Sequence, residues 1–426
     1  MMSIEELYDL FTQSGIVCTD TRDIKLGSMF FALKGENFNG NKFAPTALSQ
    51  GAKFAIIDEP EYETSNHTIL VASVLETLQE LAAFHRNQLS IPVVAVTGSN
   101  GKTTTKELLF SVLSKKYKVA CTKGNLNNHI GVPLTLLSIT DAHELALIEM
   151  GDNHPNEVAF LCEIAKPNFG FVTNVGKDHL EGFGSFEKNI SAKKEVFDYL
   201  ALNKGTAFVD QADELVFDMV GHVANQVTYG LENSFSNITF LRADPVVVFQ
   251  DEMNNEVVTQ LFGGFNFNNF KLAYCIGKYF EVDLSDISTA LMQYLPDNNR
   301  SQVVVTAKNT LIMDAYNANP SSVLEAVKSL ASMNTGKLKM VLLGDMFELG
   351  RYSEAEHQEM TEVVTNFCFD QSIFVGEHYA KTTHKRNVFS TKEEAEVYIK
   401  KIAPEGAIIL LKGSRGMRME TFKDIL

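Results

Sequence analysis

Short apolar runs punctuate this chain, and most are followed by a polar turn and then by a stretch with helical spacing. The first part shows apolar runs at 28–33, 54–57 and 68–71, between two helix-like segments. The later of these covers 74–88, where Leu75, Leu78, Leu81, Ala82 and His85 fall close to a 3.6-residue period. Ile91-Pro92 marks a boundary, because proline steers the preceding residue away from the helical region. Beyond it the pattern predicts strands at 93–97, 117–121, 145–150, 169–173 and 206–209, with helices at 104–114, 156–165 and 186–202 between them. A β-rich stretch of hairpins is expected over 227–262, then helices at 266–280 and 284–295. The turn cluster Pro296-Asp297-Asn298-Asn299 opens a third alternation. Its strands are expected at 311–315, 339–343, 373–375 and 408–411, its helices at 320–333, 353–367 and 392–402. The run GENFNGN, 35–41, reads as a loop. Alternation of this kind argues a mostly parallel α/β sheet covered by helices, with ligands at the carboxyl ends of the strands.

Length and charge narrow the picture. The 426 residues are too many for one ordinary core, so two or three domains are expected. No apolar run approaches the ~20 residues that span a bilayer, so no membrane partner is expected. The acidic start, MMSIEELYDLF, lacks a basic lead, so no signal peptide is expected either. Cys18, Cys121, Cys162, Cys275 and Cys368 are scattered without CxxC spacing, which suits a reducing cytoplasm and argues against zinc. A net charge of −16 repels nucleic acid, so any phosphate site must be built locally.

The sharpest candidate chemistry is TGSNGKTTT, 97–105, between a strand and a helix. Gly98 and Gly101 let the backbone approach phosphates, and the N–H groups at the helix start point at them. Lys102 adds a compact positive charge, and Thr103 can place its hydroxyl on Mg²⁺. The common form of this loop has its first glycine where Val96 stands here. Glu149 ends the strand at 145–150, placed to hold Mg²⁺ beside Thr103; a helix cap is the plain alternative. His179 lies in the glycine-punctuated loop 172–185 with Asn174, either packed or a ligand. Lys193-Lys194 read as a solvated helix face. The loop 122–137, with Asn125, Asn127 and Asn128, can hold phosphates on backbone N–H groups or be a run of Asx turns. Three more polar turns follow apolar strands: DAYNANPSS (314–322), LLGDMFELG (342–350) and LLKGSRGMRME (410–420). In the first, Pro320 suits the opening helical turn after an Asn319 cap. Three such turns suggest one rim facing a shared ligand. On these residues alone, a P-loop kinase or NTPase, or a nucleotide-binding assembly module without catalysis, stays open.

Taken together, TGSNGKTT, GNLNNHIGVP, DAYNANP and LGDMFELG resemble the Mur ligases, the ATP-dependent amide-forming enzymes of cell-wall precursor synthesis. The last three motifs are similar to those of the member that adds D-alanyl-D-alanine to UDP-N-acetylmuramoyl-tripeptide. A sister ligase adding a diamino acid is the alternative within the family. The likeness runs from Thr19 to Glu420; the ATP loop alone is shared more widely, with folylpolyglutamate synthase for example. It implies a three-domain α/β fold: a small N-terminal UDP-binding domain (1–88), a central P-loop-type ATPase domain with a mostly parallel sheet (89–297) and a C-terminal Rossmann-like domain (298–426). It also implies ATP and Mg²⁺ as cofactors, a cytoplasmic monomer, and a C-terminal domain that closes over the central one.

By the same resemblance, Lys102 and Thr103 hold the ATP phosphates and one Mg²⁺, with Glu149 as a further ligand, and Gly98, Asn100, Gly101 and Thr104 complete the loop. His179 matches a histidine on a second Mg²⁺. Lys193, after Ala192, matches a lysine carbamylated by CO₂, with Lys194 the competing candidate. Asn266 and Asn269 match a pair near the adenine; Arg300, Asp314 and Asn317 match residues closing over ATP. Thr21 and Arg22, with Asn125, Asn127 and Asn128, fall to the UDP-sugar substrate, and Asn319, Lys412, Ser414 and Arg415 to the incoming peptide. The chain departs from the family at Phe265, usually His, at Asn299, usually Gly, and at Asn39-Gly40-Asn41, usually Asp-Gly-His.

Overall fold

In the computed structural model, which describes residues 2–426, the first apolar runs become Met29–Phe31, Phe54–Ile57 and Thr68–Leu70. With Val17–Cys18 they form a four-stranded parallel sheet. The run GENFNGN is not an open loop. Lys34–Gly35 pairs antiparallel with Phe38–Asn39 in a small hairpin, and the buried Asn41 amide then ties the turn to Asp58 at 2.8 Å. The helix Val74–Gln88 starts at Ser73, whose hydroxyl accepts from the Glu76 N–H. It buries Leu78, Leu81 and Ala82 against Ile4–Ser14 on one side and against Gly131–Leu137 and Glu157–Ala165 on the other. One helix thus joins the first sheet's core to the next.

The central sheet has six parallel strands, in the order Asn225–Tyr229, Thr206–Asp210, Phe169–Val172, Val93–Thr97, Leu145–Glu149, Val119–Cys121. Both faces are covered, so its inner strands are almost wholly apolar. Alternation decides which core each residue enters. In the strand Val93–Thr97, Val93 and Ala95 join the cluster under Val74–Gln88, while Val94 and Val96 join the one under Lys102–Leu113 and Phe267–Tyr279. The expected hairpins over 227–262 are only partly right. Asn225–Tyr229 is a parallel edge strand of this sheet, and only Thr239–Ala243, Val246–Gln250 and Glu256–Phe262 form an antiparallel meander.

That meander continues, through the pairing of Leu261 with Gln302, into a third sheet. There Thr310–Asp314, Ala407–Lys412, Leu338–Gly344 and Gln371–Val375 run parallel, with Pro320–Ser332 and Ser353–Asn366 packed on one face and Lys392–Ile402 on the other. Asp314 pairs in register with Lys412, and Leu343 with Lys412, so the three expected turns leave the carboxyl ends of neighbouring strands on one rim. Among the described residues no helix is long and apolar enough to cross a membrane.

Candidate active site

The central sheet ends in the glycine loop. Gly98, at φ 133°, and Gly101, at φ 82°, hold backbone conformations that side chains rarely adopt. A Cβ on Gly101 would also lie 2.8 Å from Asn269 Oδ1. The loop therefore packs directly on Asn269, which accepts from the Thr105 hydroxyl at 3.1 Å and donates to Asn266 Oδ1 at 2.8 Å. Lys102 folds back, its ammonium donating to the Gly98 and Ser99 carbonyls. Burial and the nearby Lys193 ammonium pull Lys102 below the usual lysine range, against the pull of Asp178, Asp152 and Glu149.

A cleft of 760 Å³ opens in front of this loop. Of the sequence-derived candidates, Asn100, Gly101, Lys102, Thr103, Thr104, Asn125, Asn127, Asn128, Glu149, His179, Asn266, Asn269, Arg300, Asp314, Asn317, Asn319 and Lys412 line it. Glu149, 1% exposed, is held by the Thr103 hydroxyl at 3.1 Å and the Asn127 amide at 2.8 Å, with the Lys106 ammonium 3.7 Å away. Its backbone N–H donates to the Thr122 hydroxyl.

Two buried carboxylates that sequence reasoning passed over share the cleft: Asp152 and Asp178. Between them lies Lys193, fully buried, 2.7 Å from Asp152 Oδ2 and 3.6 Å from Asp178 Oδ2, over the Phe183 ring at 4.6 Å. Burial opposes charge on Asp178, yet Lys193, Lys102 and hydrogen bonds from Ser99 and Asn189 hold its carboxyl below the usual range. The signal for both aspartates was available: Asp152 follows the strand of Glu149, and Asp178 precedes His179.

Glu149 Oε2, Asp152 Oδ1 and Asp178 Oδ2 are buried oxygens without a hydrogen-bond partner. Hard anionic oxygens left open beside a phosphate loop suit Mg²⁺. The residues expected to hold the two ions lie in separate places. Thr103 meets Glu149, Lys193 is buried with the aspartates, and His179 Nδ1 is 2.7 Å from Glu348 Oε2. Among the described residues no three His, Cys, Asp or Glu side chains already form a metal cluster. The surroundings of Lys193 suit an ammonium and, as arranged, do not suit a carbamate, which would set a third anion between two carboxylates.

The far wall of the cleft belongs to the rim of the third sheet. Lys412 Nζ joins Asp314 Oδ2 at 2.7 Å and the Asn317 carbonyl at 3.1 Å. Asp314 Oδ1 accepts from the Ser301 N–H, which holds the segment before the sheet against the rim. The Arg300 guanidinium lies 3.5 Å from the Tyr316 ring centre. Asn299 sits at φ 56°, a conformation asparagine tolerates. Asn319 caps Pro320–Ser332 as expected, and its amide also reaches across the cleft to Asn100 Oδ1 at 2.8 Å. Ser414 and Arg415 stand behind this wall: the Ser414 hydroxyl accepts from the Phe347 N–H, and Arg415 donates to the Tyr316 hydroxyl. Thr21 and Arg22 are not brought to the cleft. They lie beside the first sheet, where Arg22 is exposed and engaged with Asp20.

Three families match consecutive parts of the chain: the Mur ligase family catalytic domain over 15–96, the Mur ligase middle domain over 96–277, and the Mur ligase glutamate ligase domain over 299–415. UDP-N-acetylmuramoyl-tripeptide–D-alanyl-D-alanine ligase of Bacillus subtilis is 32% identical, covering 96% of this chain and 93% of its own. The Escherichia coli protein of the same name is also 32% identical, over 95% and 92%. A crystal structure of MurF from Acinetobacter baumannii superposes with a TM-score of 0.86 at 31% identity, covering 96% and 92%. MurF ligase from Thermotoga maritima in complex with ADP gives 0.85 at 28% identity, covering 98% and 97%.

Proposed function

Since the chain belongs to the Mur ligase family, we propose that it is the ATP-dependent ligase that joins D-alanyl-D-alanine to UDP-N-acetylmuramoyl-tripeptide in peptidoglycan synthesis. The observation that carries this reading is the facing of two walls across one cleft. The glycine loop and Glu149 stand on one side, the Asp314–Lys412 rim on the other, and the Asn100–Asn319 hydrogen bond joins them.

The tripeptide's terminal carboxylate attacks the γ-phosphate of ATP, giving an acyl phosphate and ADP. The D-alanyl-D-alanine amine then attacks the acyl carbon and expels phosphate, forming the amide. Carboxylate and triphosphate repel, by about 4 kcal/mol per unit charge pair at 4 Å and an effective dielectric of 20. Lys102 opposes that repulsion from the glycine loop once its ammonium swings from the Gly98 carbonyl to the phosphates. Glu149 and Thr103, with Asp152 and Asp178, offer the oxygens for Mg²⁺, which supplies charge neutralisation on the phosphates. Asn266 and Asn269 back the loop, and Arg300 on Tyr316 presents a cationic face to the nucleotide. Asn319, Lys412, Ser414 and Arg415 form the side from which the dipeptide enters, and Thr21 and Arg22, with Asn125, Asn127 and Asn128, serve the UDP-sugar. The acyl phosphate survives only if water is kept out, which contact between the two walls accomplishes.

We place the domain divisions at 1–88, 89–297 and 298–426, and the enzyme in the cytoplasm as a monomer. A carbamate on Lys193 forms only from the neutral amine, so Lys193 must first give up its proton and its hold on Asp152 and Asp178. A divalent cation held by Asp152 and Asp178 would supply that condition.

The test is mass detection of the amide from ATP, UDP-sugar tripeptide and D-alanyl-D-alanine, with ADP counted in parallel. One product per ADP is expected. ADP released with no acceptor present indicates a plain NTPase. A product only with a diamino acid and the shorter UDP-sugar peptide indicates the sister ligase.

A further inference from the structure

The loop Asp345–Gly350 meets the central domain at His179 and Glu181. His179 Nδ1 is 2.7 Å from Glu348 Oε2, while Nε2 has no hydrogen bond among the described residues and the ring lines the cleft. Both residues hold left-handed backbone, His179 at φ 45° and Glu348 at φ 63°, a conformation that costs a side-chain-bearing residue. The contact is reinforced on each side. The Glu181 N–H donates to the Glu348 carbonyl at 3.3 Å, and Leu180 is buried within the apolar core of the third sheet. The loop itself is held firmly: the Met346 N–H donates to the buried His357 Nε2, and the Phe347 N–H to Ser414 Oγ.

We propose that Glu348 is a positioning residue for His179. By accepting the Nδ1 proton it fixes the tautomer and plane of the ring, leaving the Nε2 lone pair for a divalent cation. A carboxylate behind a ligating imidazole also makes the ligand more basic. Glu348 comes from the C-terminal domain and His179 from the central one, so this cation site is complete only when the domains meet. Phe183, one helical turn after His179, carries the Lys193 ammonium over its ring, which links the same docking event to the Asp152–Asp178 pair. The inference rests on the reading of His179 as a cation ligand.

The test uses the full-length protein with a non-hydrolysable ATP analogue, counting bound Mn²⁺ by electron paramagnetic resonance. Glu348→Ala weakens one of the bound ions by about 10–100-fold, and His179→Ala does the same. The double variant is no weaker than His179→Ala, because Glu348 acts through the ring. Glu348→Gln, whose amide oxygen still accepts the proton, falls between. A Glu348→Ala isotherm that overlays the unmodified one, or losses that add in the double variant, overturns the proposal. An unchanged isotherm for His179→Ala removes the ligand reading and this inference with it, whereas the ligase reading is judged by amide formation in the unmodified protein.

Discussion

Lys193 carries its ammonium where water does not reach, and its two carboxylate partners depend on it. Removing one member of a buried ion pair strands the other, at about 3–5 kcal/mol. Lys193→Met is therefore expected to lower the thermal midpoint sharply and to remain inactive in high bicarbonate. Asp152→Asn in the same chain restores part of the midpoint without restoring turnover; a variant as stable as the parent would contradict the buried charge. The neighbouring Lys194 is half exposed and pairs with Asp198. The difference follows from helical spacing, since Asn189, Lys193, Val196, Phe197 and Leu200 form one buried face. Residue pairs in sequence could have been sorted by that period, whereas the role of Lys193 was legible only through the family. Asn299 makes a second point. At φ 56°, Asn299→Ala is expected to cost about 1–2 kcal/mol in a denaturation titration, and Asn299→Gly close to nothing. Equal losses in both would mean the side chain, not the backbone, matters.

Elements with a strong period were legible to within a residue or two, and those without one were not. Val93–Thr97 and Phe186–Leu202 coincide with their expected ranges because apolar spacing alone decides them. The seven-residue helix Glu214–Val220 escaped notice, since so short a helix has little propensity of its own and relies on packing. The hairpins expected over 227–262 fail at their start because parallel pairing of Asn225–Tyr229 with Thr206–Asp210 is set by topology, which local pattern does not carry. The loop Asp345–Gly350 was visible as a motif, but its support was not. His357 accepts from Met346 N–H and donates to the Ser353 carbonyl, with Asp345, His378 and Tyr379 around it. Burial, with some help from His378, pushes this imidazole below its usual 6.5, against the pull of the Ser353 carbonyl and Asp345. The folded protein thus takes up this proton later than the unfolded chain as pH falls. Its contribution to stability is complete above about 6.5 and is lost below it. His357→Gln, which keeps an acceptor and cannot titrate, is expected to flatten the decline of the thermal midpoint between pH 7 and 5. An unaltered slope would place that decline elsewhere.

At the scale of the molecule, the contacts that build the site join residues far apart in the chain. Lys177 meets Ser321 through its N–H at 2.8 Å, Glu356 at 2.9 Å and Glu359 at 3.8 Å, and the Tyr352 hydroxyl donates to the Gly184 carbonyl at 3.1 Å. No local pattern announces such pairs, which is why the cleft's residues were legible one by one while its two-walled form was not. The Lys177 ammonium is half exposed while its partner Glu356 is buried, and Glu359 beside it is exposed, so contact between the two walls is sensitive to charge. Its exposed side lets salt weaken the attraction, as the Debye length falls from about 10 Å at 0.1 M to about 3 Å at 1 M. Reversing the charge converts attraction into repulsion among three carboxylates, so the shift exceeds that of simple removal. Lys177→Glu is therefore expected to show a larger radius of gyration by solution scattering than the parent, both in the presence of ATP analogue and UDP-sugar tripeptide. Raising salt moves the two in opposite directions, the parent opening and the variant relaxing towards it, because screening weakens attraction and repulsion alike. Lys177→Met, which removes the charge without reversing it, falls between them and responds least to salt. Identical radii for all three proteins at low salt would show that closure is set by the buried contacts of Leu180 and Asn319, with the surface charges along for the ride.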